Sequence, residues 1–126
     1  MEAECFLDLV GRHHGQVCKL LRLRDFLREE AAGLTAQDPG RSSRLLCQAS
    51  CLTWDILRSQ REFGKLVSRA CRLIERLPDR EERAALKLCY LSHVSAQSAA
   101  AALGCSIAEA CRIRQRALMH LEGLGH

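Results

Sequence analysis

This sequence predicts an all-α fold. A long antiparallel helical hairpin over residues 1–76 precedes a module of three shorter helices over residues 77–126, five helices in all. Three observations predict it. Apolar residues recur at spacings of three and four along most of the 126 residues, with no alternating run of the kind that marks a strand. Only two prolines occur, and β-branched runs are nearly absent. The breaks are few and chemically clear: Asp38-Pro39-Gly40, Pro78, "SHVS" at 92–95, and Gly104.

The first helix is expected from Glu2 to Leu34. Its stripe is Phe6, Val10, Val17, Leu20, Leu27, Ala31 and Leu34, interrupted by His13 and Arg24 and softened by Gly11, Gly15 and Gly33. "TAQDPGRSS", Thr35 to Ser43, supplies the turn. A second helix from Arg44 to Leu77 carries Leu46, Ala49, Ile56, Phe63, Val67, Ala70, Ile74 and Leu77, with Thr53 and Gln60 interrupting. Two such stripes joined by a short polar turn cover one another most simply as an antiparallel, coiled-coil-like arm. Cys5 and Cys71 then lie nearly level, and Phe26 and Phe63 are also read as level across the turn. Two helices alone seldom bury their stripes fully, so the hairpin is expected to form a homodimer or hold a partner.

Composition bounds the function. A 48% hydrophobic fraction is enough to fold, but aromatics make up only 4%, so Leu, Ala, Val, Ile and Cys must build the core. Nineteen Lys and Arg against fifteen Asp and Glu leave a net charge of +4, which permits a polyanionic partner without demanding one. "MEAECFLDLVGRHHG" has no basic segment leading into an apolar run, and no stretch approaches the roughly 20 apolar residues that span a bilayer. The expectation is a cytoplasmic chain with no membrane contact. Its eight cysteines, at 5, 18, 47, 51, 71, 89, 105 and 111, contain no C-x-x-C pair. The i, i+4 pairs His14/Cys18 and Cys47/Cys51 fall out of register across the hairpin, so the cysteines are read as reduced, metal-free small hydrophobes. Paired-carboxylate loops, Gly-rich phosphate loops and Ser/His/Asp arrangements are missing, and the side chains of His13 and His14 point about 100° apart on a helix. The chain is expected to be no enzyme and to use no cofactor.

The C-terminal module is the informative part. Pro78 ends the second helix, and "DREE", Asp79 to Glu82, restarts one with an Asp-x-x-Glu capping box. Ala85, Leu86, Leu88, Cys89 and Leu91 give that helix its apolar side. Ser95 caps a short helix, Ala96 to Leu103, which Gly104 closes in the left-handed conformation. Ser106 then caps the last helix, with Glu109 expected to return a bond to the Ser106 N–H. A short helix, a turn of about three residues and a longer helix make the helix-turn-helix plan. A helical wheel puts Ala110, Ile113, Ala117, Leu118 and Leu121 inside and Ala108, Glu109, Cys111, Arg112, Gln115 and Arg116 outside. Arg114 sits at the core edge and is read as a salt-bridge residue, while Ala99, Ala100 and Ala110 let the two helices cross closely.

The stretch "LPDREERAALKLCYL…AAALGCSIAEACRIRQRAL" resembles region 4 of the sigma-70 factors. The matching residues are Leu77, Pro78, Arg83, Leu86, Leu88, Tyr90, Ala100, Leu103, Gly104, Ser106, Ile113, Ala117 and Leu118. With the helical arm and its "GRSSR" turn in front, the chain is similar to a family of small phage- and mobile-element-encoded proteins with a sigma-70 region-4-like C-terminus. The resemblance implies a transcription regulator that binds promoter-like double-stranded DNA, with RNA polymerase as a further partner. The implied DNA-facing set is Gln97 on the short helix with Ser106, Ile107, Ala108, Glu109, Cys111, Arg112, Gln115 and Arg116. Within it Arg112 would read bases and Arg116 would contact phosphate. Sigma region 4 carries several basic residues where this chain has Ile107, Ala108, Glu109 and Cys111. No aromatic-rich melting region accompanies the match, since Trp54 is the only tryptophan. Two other roles fit the same helices: a phage packaging or replication adaptor that binds DNA, and a helical protein-interaction module that does not.

Overall fold

A computed structural model describes residues 2–124, and among the described residues every regular element is a helix, without a strand. Helix α1 spans Glu2–Leu34 and α2 spans Pro39–Ile74. Helix α3, Arg80–Leu86, runs on into a π-helical segment, Lys87–Leu91, and α4 (Ala96–Leu103) and α5 (Ile107–Gly123) follow. None of these helices is long and apolar enough to cross a membrane.

The second long helix starts five residues earlier than expected. Asp38 Oδ1 accepts the Arg41 N–H at 3.1 Å and the Asp38 carbonyl takes the Ser42 N–H at 3.0 Å, so Asp38 is the cap. Pro39 then holds the first helical position, where its missing N–H costs nothing. The helix also stops earlier than expected, at Ile74. The Arg76 and Leu77 N–H groups bond three residues back, to Leu73 and Ile74, which tightens the chain ahead of Pro78.

Two compact units result, and they do not follow the 1–76 and 77–126 division expected from sequence. One is His13–Gly64; the other joins residues 2–12 to residues 65–124. The first turns of α1 are tied to the end of α5, where the Glu122 carboxylate accepts the Glu2 and Ala3 N–H groups at 3.3 and 2.9 Å. A helix start leaves such donors unpaired and favours an anion there.

Within residues 13–64 the two helical segments run antiparallel. The Ser42 hydroxyl donates to the Ala31 carbonyl at 2.8 Å near the turn, and the His13 Nε2 lies 3.1 Å from the Ser59 carbonyl at the far end. Val17, Ala31, Ala49 and Ile56 are buried, with Ser42. Phe63 lies against His13 and His14, with ring centroids 6.1 and 5.6 Å apart, so it is not level with Phe26, which is 56% exposed. Leu46, placed in the buried stripe from sequence, is exposed.

The other unit has a dense aliphatic interior. Leu7, Val10, Ile74, Leu77, Leu86, Leu118 and Leu121 are fully or almost fully buried, with Ala3, Ala70, Ala85 and Ala117 filling the closest approaches. The Arg69 guanidinium lies 4.7 Å from the Phe6 ring centroid, and Lys87 pairs with Glu75. That pairing holds the Glu75 carboxyl below its usual range.

Candidate nucleic-acid interface

Helices α4 and α5 are set by three local devices. Ser95 Oγ accepts the Ser98 N–H at 3.1 Å and starts α4. At its end Gly104 takes φ 71°, a conformation that a side chain would strain. The Cys105 N–H bonds to the Ala100 carbonyl and the Gly104 N–H to that of Ala101, the paired closure of a Schellman turn. Ser106 Oγ then accepts the Glu109 N–H at 3.1 Å and opens α5.

The caps differ from the sequence expectation in one respect. The Glu109 carboxylate does not return to the Ser106 N–H; it lies 3.9 Å from Arg112 Nη2 on the next turn. Both groups are more than half exposed, so solvent screens this pair and it adds little stability.

The two faces of α5 separate cleanly. Ala110, Ile113, Ala117, Leu118 and Leu121 are buried, and Ala99 and Ala100 of α4 are buried with them. Ser106, Ile107, Ala108, Glu109, Arg112, Gln115 and Arg116 are exposed, as is Gln97 on α4, while Cys111 is half-buried. The Arg112 side chain is 74% exposed and is the most accessible cation of the helix.

Arg116 stands differently. Its Nε donates to Glu82 Oε2 at 3.2 Å, and its Nη2 lies 3.7 Å from Asp79 Oδ2. Glu82, read from sequence as the returning half of a capping box, instead buries its carboxylate against α5, where His120 Nδ1 also reaches it at 2.7 Å. Asp79 caps α3 without it, through the Glu81 N–H at 2.9 Å. A buried carboxylate must be paired and hydrogen-bonded, and Arg116 and His120, one turn apart on α5, do both. The spacing of Arg116 and His120 was visible in the sequence; their meeting with Glu82 was not.

Arg114 donates to the Tyr90 hydroxyl at 3.2 Å, so its partner is a phenol rather than the expected carboxylate. Tyr90 comes from the π-helical segment, whose last bond runs from the Ser92 N–H to the Lys87 carbonyl. A cavity of about 300 Å³ lies there, lined by Cys89, Tyr90, Ala99, Leu103, Cys111 and Arg114 among others. Burial pushes the Tyr90 hydroxyl and the Cys89 thiol above their usual ionisation ranges.

All eight cysteines are free thiols, and among the described residues no three His, Cys, Asp or Glu side chains cluster as metal ligands. His14 Nε2 and Cys18 Sγ approach to 3.5 Å as an i, i+4 pair. Compared with family models, curated proteins and solved structures, the chain matches none.

Proposed function

We propose that α4, the Gly104 turn and α5 form a helix-turn-helix that docks α5 in the DNA major groove, making this chain a sequence-specific transcription regulator. The observation that carries the reading is the Gly104–Ser106 turn, which presents an outward α5 face on which Arg112 is open to solvent. The sigma-70 region-4 resemblance supports it, and contact with RNA polymerase belongs to the same proposal. So does an origin in a phage or mobile element. Arg112 is the base reader, because an arginine fork matches the two acceptors of guanine. Arg116, already held by Glu82 and Asp79, fixes α5 against α3 and offers only its outer edge to phosphate.

The test is fluorescence anisotropy of the full chain with a duplex selected from a random pool, measured at several salt concentrations. A bidentate contact is worth roughly 1–3 kcal/mol, so Arg112→Ala is expected to weaken the selected site about 5- to 150-fold. It should weaken unrelated duplexes much less. Equal affinity of wild type and Arg112→Ala for every duplex would remove the base-reading role. Failure of the wild type to bind any duplex would favour the interaction-module reading, which draws on exposed Ile107 and Met119 on the same helix.

The N-terminal hairpin is proposed to hold a second copy of the chain. Leu46, Trp54 and Leu57 are 48%, 72% and 50% exposed and fall within about 80° of one another around α2. Leu23 and Phe26, one turn apart on α1, are also exposed. Sedimentation equilibrium is expected to give a dimer that Trp54→Glu dissociates. A monomer at high concentration would remove this part.

A further inference from the structure

We infer that the last turns of α2 are a second nucleic-acid contact, gripping the phosphate backbone of the duplex that α5 reads; this rests on the DNA-binding reading above. Lys65, Arg69, Arg72 and Arg76 repeat at spacings of four, three and four, and all four are exposed. At 100° per residue Lys65, Arg69 and Arg72 fall within about 60° of arc and follow α2 for about 10 Å, and Arg76 comes two residues after the helix ends at Ile74. Buried Ala70, Leu73 and Ile74 lie on another side of the same turns. Glu75, the one acidic residue between positions 65 and 76, is taken by Lys87.

The stripe borders a groove of about 340 Å³ lined by Glu2, Phe6, Arg69, Arg72, Leu73 and Arg76. Glu2, Lys65 and Arg76 have partners within the chain, so the grip is assigned chiefly to Arg69 and Arg72. Among the described residues neither arginine has a carboxylate partner, and the Phe6 ring supports Arg69 from below. Guanidinium forks in a line along a helix suit successive phosphates better than a scattered set of carboxylates.

Arg80, exposed at the start of α3, is next to Asp79, whose carboxylate is 3.7 Å from Arg116 of α5. The stripe and α5 belong to one compact unit.

The experiment compares wild type with Arg69→Gln/Arg72→Gln and with Arg72→Glu, using the full chain, the selected duplex and random duplexes, and polyglutamate of matched charge. Circular dichroism establishes that each variant is folded. Each phosphate contact contributes about 0.9 to the salt slope, so the double variant is expected to lower it by about two. The affinity lost between about 50 and 200 mM salt would shrink roughly tenfold, equally for all duplexes, and preference for the selected site would stay. Arg72→Glu, which leaves the Phe6 contact intact, should weaken all duplexes in the same way. Unchanged affinity and slope in both variants, with the wild type binding duplex, would overturn the α2 contact alone. A wild type that binds no duplex would overturn the underlying reading as well. Polyglutamate bound as tightly as duplex would make the stripe a general anion surface and overturn the phosphate assignment.

Discussion

The unit of residues 13–64 and the unit of residues 2–12 with 65–124 share the same two long helices, yet differ in what fills them. In the first, four apolar side chains are buried, two of them alanines, and His13, Ser42 and Arg24 occupy inward positions. Arg24, partly buried, has its Nε 3.8 Å from Asp25 Oδ1, an ion pair too long for a hydrogen bond. In the second, seventeen apolar side chains are buried, and the buried charge, Glu82, has two donors. A helical pair has only one seam to bury, whereas five helical segments enclose side chains from several directions. The difference teaches where stability and adaptability are divided: the tightly packed unit carries the proposed reader, and the looser one exposes the aromatics proposed to meet a second copy.

The largest effect that can break this comparison is cavity formation. Leu118→Ala is expected to cost about 3–5 kcal/mol, against about 2 kcal/mol for Ile56→Ala, because the thin hairpin can collapse around a missing side chain. Urea unfolding of both variants checks this, and equal losses would mean the two interiors are equally rigid.

Next in size is the Glu82 cluster. Arg116→Ala/His120→Ala strands a buried carboxylate and should destabilise by about 3 kcal/mol at neutral pH. Glu82→Ala should cost less, since Arg116 and His120 are about half exposed and can return to water. Thermal unfolding of the two variants gives the order, and the reverse order would show that Glu82 is not the strained member. The same cluster means that any loss of DNA binding on replacing Arg116 needs a stability control.

A smaller effect sharpens the view of the hairpin. Arg24→Leu replaces a partly buried cation whose Nε has only the 3.8 Å ion pair with exposed Asp25, and is expected to stabilise by about 1 kcal/mol. A polar residue at such a seam can fix register, so the variant should also populate additional oligomers in sedimentation.

The smallest effect is alkaline. Burial raises the ionisation of Tyr90 and Cys89 above the usual 10.0 and 9.0, so the folded chain holds those protons longer than the unfolded one. Their contribution to stability is complete below about pH 9 and is lost as pH rises through the folded values. Tyr90→Phe should melt with a shallower decline above pH 10; an identical decline would assign the effect to other groups.

Much of the local structure was legible without coordinates. The bounds of α1 and α4, the left-handed Gly104, the Ser95 and Ser106 caps and the buried side of α5 all follow from residue chemistry within a few positions. Hence outward Ala108, Glu109, Arg112, Gln115 and Arg116 could be named from spacing, whereas Cys111, placed with them, is half-buried. The start of α2 was misplaced because "DPG" is turn chemistry and equally the opening of a capped helix, with Asp38 at the cap and Pro39 inside it. Register was less legible: the stripes fix which side of each helix is apolar, but not which residues lie level, and Phe63 met the histidines instead of Phe26.

By itself the sequence determined the helices, the ends of α1 and α4 and the apolar side of α5, because these depend on contacts within about four residues. Only the tertiary structure decided the partners of the charged groups. Glu82 turned from its own helix start to Arg116 and His120, Arg114 chose a phenol, and Glu122 reached the first turn of α1. The physical reason is that a long polar side chain is pulled to whichever counter-group shares its desolvated surroundings, and packing distant segments together creates those surroundings.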